Sequence, residues 1–337
     1  MNRFDRQERV HQIGIGGQKK ISQATILIVG VGALGSYSAE QVVRAGVKKL
    51  ILVDPDTVSY TNLQRQTLFT EEDAKLQRLK VEAAKDHLEK INSACQITAI
   101  PSPLTADIID ELSFTLCLDC LDNYRTRDLL NKLALTTKFD YIFASCAGTY
   151  GNVMAISPLK GPCLNCLFPN IEKLKQTDCD LIGVNTALVP LVSSLQVSLA
   201  LRYLINKTEV NFHELITVDN WSMQFNKFQI KKASTCPSCQ VAQPHFKLEE
   251  EKSNLQMLCG ENAYYTVIDE EPNMQKLQQF LRQKDCLLSA NRLFIHFKWR
   301  DLPVSIFKNG KIIMYDLPDV AAAQRQLLLI TKLLKEA

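Results

Sequence analysis

The stretch Thr25-Ile-Leu-Ile-Val-Gly30-Val-Gly32-Ala-Leu-Gly35, followed one amphipathic span later by Lys49-Leu-Ile-Leu-Val-Asp54, decides how this chain folds. A short apolar run rich in β-branched residues reads as a buried parallel strand, because helices cover both faces of such a sheet. Gly30 permits a tight turn, Gly32 lets backbone approach a phosphate, and Gly35 lets the next helix pack closely on the sheet. The N-terminus of that helix offers N–H groups and partial positive charge to an anion. Asp54 ends the second strand, where its carboxylate can bind both hydroxyls of a ribose. The fingerprint marks a nucleotide site, and taken alone it favours a dinucleotide-binding dehydrogenase.

Working outward, residues 3–23 read as two short helices, and Pro55 to Gln66 as a polar loop passing over the nucleotide. A helix is expected from Leu79 to Ile91, with strands at Gln96–Ile100, Phe114–Leu118 and Tyr141–Ser145 and a helix from Tyr124 to Thr137. This alternation predicts a doubly wound, mainly parallel α/β sheet of Rossmann type, whose ligand lies at the C-terminal strand ends. Gly30, Asp54 and Asp122 all fall at such ends and should share a pocket. From Thr149 to Ser157 an antiparallel strand is expected, and Glu214–Asp219 and Met223–Ile230 add two more strands as an antiparallel extension. Between them, Asn185 to Leu204 reads as a long helix whose near-continuous apolarity places it in a core or between subunits. Residues 240–253 read as a polar linker. The division is thus 1–240 for the nucleotide domain and 241–337 for the linker and a small α+β unit, with a hairpin turning at Asn309-Gly310 and a last helix at Val320–Lys335.

Asn62, Arg65, Lys80 and Asp122 fall on loops expected to ring the phosphate end of the nucleotide. Cations there suit a triphosphate that loses pyrophosphate, and a carboxylate at a strand end suits Mg²⁺, a hard ion that takes oxygen ligands. Hydride transfer needs neither. Singly, each charge also reads as a solvated surface residue.

Two paired motifs, Cys163-x-x-Cys166 and Cys236-x-x-Cys239, supply four thiolates beside the turn residues Gly161-Pro162 and Pro237-Ser238. That matches a closed tetrahedral Zn²⁺ site, the competing readings being redox pairs or buried thiols. Cys179 stands in the polar run Thr177-Asp178-Cys179-Asp180 and is a candidate nucleophile, although the flanking carboxylates act against its thiolate form. Cys95, Cys117, Cys120 and Cys146 read as buried apolar residues, and the five histidines share no spacing that would make a site.

The chain has 337 residues, a formal charge of +3 and 46% hydrophobic residues, so neither nucleic acid nor a membrane surface is called for by charge. No bilayer span and no signal-peptide core are read, and eleven cysteines without a secretory context fit a reducing compartment, the cytoplasm.

Taken together, the ordered motifs resemble the MoeB/ThiF family, bacterial relatives of the ubiquitin-activating enzymes. The resemblance rests on Arg3-Phe-Asp-Arg6-Gln7, the Gly30–Gly35 loop, Asp54 with Thr57-Val-Ser, Asn62-Leu-Gln-Arg65-Gln66, Lys80-Val-Glu-Ala-Ala, Asp119-Cys-Leu-Asp122-Asn123, both CxxC pairs and Ser194-Leu-Gln196. It implies ATP- and Mg²⁺-dependent adenylation of the C-terminal glycine of a ubiquitin-like sulfur carrier of the MoaD or ThiS type, in molybdopterin or thiamine biosynthesis. The implied nucleotide contacts are Gly30, Gly32, Ala33, Gly35, Asp54, Thr61, Asn62, Leu63, Gln64, Arg65, Gln66, Lys80, Asp122 and Asn123. Asp122 holds Mg²⁺, Arg65 and Lys80 hold phosphates, and Arg6 reaches into the neighbouring subunit's pocket, which implies a homodimer. Cys179 aligns with the loop cysteine that captures the acyl group in ThiF-type members. Two departures stand out: Ala33 replaces a second glycine, and the residues after Cys179 lack the usual glycine and proline placement. The tail replaces the rhodanese domain of some relatives, so a separate sulfur donor such as a cysteine desulfurase is implied. A tRNA-base dehydratase on the same core, and a non-catalytic scaffold, are the alternatives. The zinc pairs speak against the first and the phosphate-end cations against the second.

Overall fold

A computed structural model describes residues 2–175, 183–240, 255–258, 263–268, 272–290, 294–308 and 310–336. The chain divides into two compact units, Met1–Phe246 and Lys247–Ala337.

The first unit is built on eight strands: β1 (Thr25–Val29), β2 (Lys49–Val53), β3 (Gln96–Ile100), β4 (Leu116–Asp119), β5 (Tyr141–Ala147), β6 (Tyr150–Ile156), β7 (Glu214–Asp219) and β8 (Gln224–Gln229). Their spatial order is β3-β2-β1-β4-β5-β6-β7-β8. The first five pair in parallel and the last three antiparallel. Order reverses beside β1, between β2 and β4, which is where a doubly wound sheet opens its ligand crevice. Ile26, Leu27 and Ile28 of β1 and Leu50, Ile51 and Leu52 of β2 are completely buried, as a sheet covered on both faces requires. Each such side chain stabilises the fold by roughly 1.5–3 kcal/mol.

The helices fall where the periodicity predicts: Asp5–Glu8 and Gly14–Ile21, then Ala33–Ala45, Lys80–Ile91 and Tyr124–Thr137. The helix Ala33–Ala45 ends on Gly46 with φ +92°, the left-handed stop that favours glycine. Short helices at Glu71–Lys75, Ala106–Glu111, Leu164–Leu167 and Ile171–Leu174 escape the sequence pattern. At four to six residues they are too short to show a period, and two of them rest on Thr70 and Thr105 caps.

The long helix Leu188–Ile205 corrects one expectation. Its 18 residues and mean hydropathy of 1.6 do make it long and apolar enough to cross a bilayer by length and composition. Here it packs on β5, β6 and the helix Ala33–Ala45. Two polar groups fix its buried side: Gln196 Nε2 donates to the carbonyls of Asp119 and Ile142, each at 2.9 Å, and Ser193 Oγ donates to the carbonyl of Leu34 at 3.1 Å. A core helix with specific polar anchors is the physical outcome.

The second unit is a six-stranded antiparallel sheet: β9 (Gln256–Leu258), β10 (Ala263–Val267), β11 (Leu287–Ala290), β12 (Phe294–Trp299), β13 (Leu302–Phe307) and β14 (Lys311–Met314). The order is β11-β12-β13-β14-β10-β9, with helices Met274–Gln283 and Val320–Glu336. Alternate residues Ile295 and Phe297, Val304 and Ile306, and Ile312 and Met314 share a core with Leu277, Leu281 and Ile330. A hairpin joins β13 to β14 with Gly310 at φ +81°, while Asn309, the other expected turn residue, lies outside the described residues. Strands β9, β10 and β11 were not legible, being three to five residues long and mixed in polarity.

Candidate active site

The glycine loop leaves β1 and enters the helix Ala33–Ala45 with little room to spare. Gly30 has φ +88°, and a Cβ there would meet the Cys120 carbonyl at 2.7 Å; a Cβ on Gly35 would meet the Gly30 carbonyl at 1.9 Å. Both positions need glycine for the protein's own packing. Gly32 is different. A Cβ there would meet only Gln66 Nε2, at 3.6 Å. The space above Gly32, at the helix N-terminus, is therefore open to a ligand.

Asp54 lies at the end of β2 and is buried. Its Oδ2 accepts the Val31 N–H at 2.6 Å and its Oδ1 the Asp56 N–H at 2.9 Å, which ties the carboxylate to the glycine loop. Burial, and then the neighbouring Asp56 charge, push its carboxyl up to about 7, while Lys80 pulls the other way. Lys80, the first residue of its helix, is buried as well and places Nζ 2.8 Å from Asp56 Oδ2. Asn62 is buried on the short 3₁₀ turn Tyr60–Asn62, where its Oδ1 accepts the Ser59 N–H at 3.3 Å. Its amide is held in place by the turn it caps. Gln66 is buried too, and its Oε1 has no hydrogen-bond partner among the described residues. Its Nε2 borders the space above Gly32, 3.6 Å from where a Cβ there would sit.

Asp122 is exposed on the loop after β4, and its Oδ1 accepts from Asn123 Nδ2 at 3.2 Å. Asn123 in turn caps the helix Tyr124–Thr137 by accepting the Thr126 N–H at 2.8 Å. An accessible carboxylate oxygen at a strand end fits the donor set of Mg²⁺. Arg65 NH1 donates to the Thr61 carbonyl at 2.9 Å, and Gln64, exposed, accepts from Thr186 Oγ1 at 2.6 Å.

The structure thus gathers Gly30, Gly32, Asp54, Asn62, Gln66 and Lys80 around the end of β1 and β2, with Asp122 at the adjoining end of β4. Arg6 is not among them. It is exposed on the first helix, whose neighbours Phe4 and Gln7 lie against Gly46 and the Ala45 carbonyl, at the opposite end of the sheet. Cys179 lies outside the described residues.

Sequence reasoning missed the group beneath the Asp122 loop. Arg127, buried, pairs with fully buried Asp119 at 3.1 Å and donates to the carbonyls of Ala144 at 2.8 Å and of Leu121. Its guanidinium also lies 4.7 Å from the Phe143 ring centroid. Burial raises the Asp119 carboxyl to about 6, with Arg127 opposing. The available signal was a charged residue on the same helix face as Leu130 and Ala134, three and seven positions on. Replacing Arg127 with alanine would strand a buried carboxylate and two carbonyls, so unfolding in denaturant should show a loss of about 3–5 kcal/mol. A loss under about 1 kcal/mol would remove its structural role.

The four motif cysteines converge. Their sulfurs all lie within 4.8 Å of one another, with separations of 3.6 Å for Cys163–Cys236, 3.5 Å for Cys166–Cys239 and 3.9 Å for Cys163–Cys166. A tetrahedral zinc with Zn–S near 2.3 Å has sulfur–sulfur edges of about 3.8 Å. The donor set and spacing fit zinc without rearrangement. Cys95, Cys117 and Cys120 are buried as expected, whereas Cys146, near the end of β5, is only half-buried; burial raises all four thiols.

A family model described as the ThiF family matches residues 4–240. The chain belongs to the ThiF family. Among its ThiF-family relatives, the sulfur carrier protein ThiS adenylyltransferase of Bacillus subtilis (strain 168) is 33% identical over 328 residues, covering 96% of this chain and 97% of the relative. The protein of the same name from Escherichia coli (strain K12) is 33% identical over 70% of this chain and 94% of its own length. The molybdopterin-synthase adenylyltransferase of Salmonella typhimurium is 32% identical over 71% of this chain and 96% of its own. A crystal structure of E. coli MccB with MccA-N7isoASN superposes with a TM-score of 0.62 at 20% identity, covering 71% of this chain and 74% of that one. That likeness shows a shared fold.

Proposed function

We propose that this ThiF-family chain adenylates the C-terminal glycine carboxylate of a ubiquitin-like sulfur carrier of the ThiS or MoaD type, using ATP and releasing pyrophosphate. The observation that carries this reading is the 33% identity to the B. subtilis ThiS adenylyltransferase along 96% of the chain, which gives both units a counterpart there.

The carrier's carboxylate oxygen forms a bond to the α-phosphorus, and the bond from that phosphorus to the bridging oxygen breaks, so pyrophosphate leaves with the electron pair. Nucleophile and target are both anionic, and fixed cations lower that repulsion. In this reading Asp54 accepts the ribose hydroxyls on its remaining lone pairs, and the N–H groups around Gly32 and Ala33 face the phosphates. Asn62, Arg65 and Lys80 hold the departing pyrophosphate, with Thr61, Leu63, Gln64 and Gln66 lining the same loop. Asp122 would hold Mg²⁺, which would offset the negative charge of the phosphates, and Asn123 beside it would contact the nucleotide.

The remoteness of Arg6 from its own chain's pocket supports a homodimer in which it serves the partner subunit's site. The turn after β7 supports a protein acceptor: Trp221 and Met223 there are 78% and 77% exposed, on the same edge of the sheet as the pocket and three strands along from β4. Cys179 is proposed, on its sequence position, as the thiol that takes up the activated acyl group. A separate sulfur donor would complete the sequence, in the cytoplasm, where thiolates stay reduced.

The test is ATP–pyrophosphate exchange with purified carriers. Exchange should require Mg²⁺ and a carrier ending in Gly-Gly, and should vanish when the last glycine is removed. Preference between ThiS-type and MoaD-type carriers assigns the product to thiamine or molybdopterin. Exchange that ignores the carrier would overturn the reading.

A further inference from the structure

The loop after β2 contains a residue whose role none of the motifs assigns. Asp56 touches Lys80 twice: its carbonyl accepts the Lys80 backbone N–H at 2.9 Å, and its carboxylate Oδ2 accepts from Nζ at 2.8 Å. The same residue donates its own N–H to Asp54 Oδ1 at 2.9 Å. An antiparallel bridge between Thr57 and Leu79 and the Val58 N–H to the Arg78 carbonyl, at 2.8 Å, complete the seam. Asp56 therefore links the ribose carboxylate to the phosphate lysine through three hydrogen bonds on one residue.

We propose that Asp56 is a positioning residue that acts through Lys80. Lys80 opens its helix with no side-chain cap before it, and its side chain is 5% exposed. A flexible four-carbon stem ending in a buried ammonium needs both a counter-charge and a direction, and Asp56 supplies both. The seam to Arg78 is itself anchored. Arg78 NH1 lies 3.0 Å from Asp73 Oδ1, its NH2 pairs with Asp86, and His87 Nε2 lies 2.8 Å from Asp73 Oδ2. With the Lys80 backbone fixed, the Asp56 carboxylate at 2.8 Å from Nζ helps set where the ammonium points. A displacement of about 1 Å at such a group costs on the order of 100-fold in rate.

This rests on the proposed role of Lys80 at the phosphate end, and the experiment keeps the two separable. Asp56→Ala should lower kcat of pyrophosphate exchange about 100-fold with KM for ATP within about threefold. Asp56→Asn, which keeps an oxygen acceptor for Nζ, should recover about tenfold of that loss. Adding Asp56→Ala to Lys80→Met should cost nothing further, because a residue acting through Lys80 has nothing left to position. An independent readout needs no turnover: acylation of Lys80 by an amine-reactive ester, followed by peptide mass spectrometry, should be faster in Asp56→Ala than in the wild type at pH 8. Wild-type kcat in Asp56→Ala, or a further loss in the double variant, would overturn the proposal. If the wild type shows no exchange with any carrier, the proposed reaction fails while the acylation contrast still decides the Asp56–Lys80 link. Unchanged acylation then counts against it.

Discussion

Replacing Asp122 with alanine is expected to lower ATP–pyrophosphate exchange by about three orders of magnitude or more while the protein stays folded. The carboxylate is exposed and accepts a hydrogen bond only from its neighbour Asn123 among the described contacts, so its loss strands no buried group. Stability should stay within about 0.5 kcal/mol of the wild type. On the proposed reading, what is removed is an oxygen ligand for Mg²⁺ near the leaving pyrophosphate. Asp122→Asn keeps the shape and the hydrogen bond but not the charge, and should be nearly as inactive. Elemental analysis and elution volume should match the wild type in both variants. Unimpaired exchange in Asp122→Ala would remove the proposed metal role and move attention to the other strand-end carboxylates.

The second large effect concerns the thiol cluster. Purified protein should carry about one zinc per chain, and Cys236→Ser should lose it. Cys163 and Cys166 follow β6 while Cys236 and Cys239 follow β8, so a metal held by all four would close a long loop that includes the core helix Leu188–Ile205. Without it, four sulfurs lie within 4.8 Å of one another, with only weak S–H contacts to hold them. Structural zinc contributes folding free energy outright, so chelation or Cys236→Ser should lower the melting temperature by on the order of 10 °C or more. With four protein thiolates as ligands, a zinc there would have no open position for substrate. Protein that is pure, stable and free of zinc would return the four cysteines to ordinary buried thiols.

Much of the first unit was legible because its signals are local. A strand, a glycine turn and a helix are written in eleven consecutive residues, and the sheet order follows from the alternation of strand and helix. The CxxC spacing likewise needs only a turn to bring two sulfurs together, and the structure joins the two pairs. The helix Leu188–Ile205 was legible as a helix but not in its facing. An apolar run on all sides hides which side is core, and only Ser193 and Gln196 mark it, through carbonyl partners on the segments around Leu34, Asp119 and Ile142. The second unit was read only in part, since its short strands gain their stability from neighbours rather than from their own pattern.

By itself, then, the order of residues determined the class of the fold, the strand ends where the candidate pocket residues gather, and the four cysteines that converge. Those features depend on backbone turns and spacings that a few neighbouring residues dictate. Only the tertiary structure decided which charge meets which. Lys80 finds Asp56 across 24 positions, Arg127 finds Asp119 beneath the Asp122 loop, and Arg6 sits away from the pocket of its own chain. The physical reason is that a buried ion pair is selected by desolvation: each charge must end beside a partner delivered by the sheet topology, and that partner has no fixed offset in sequence.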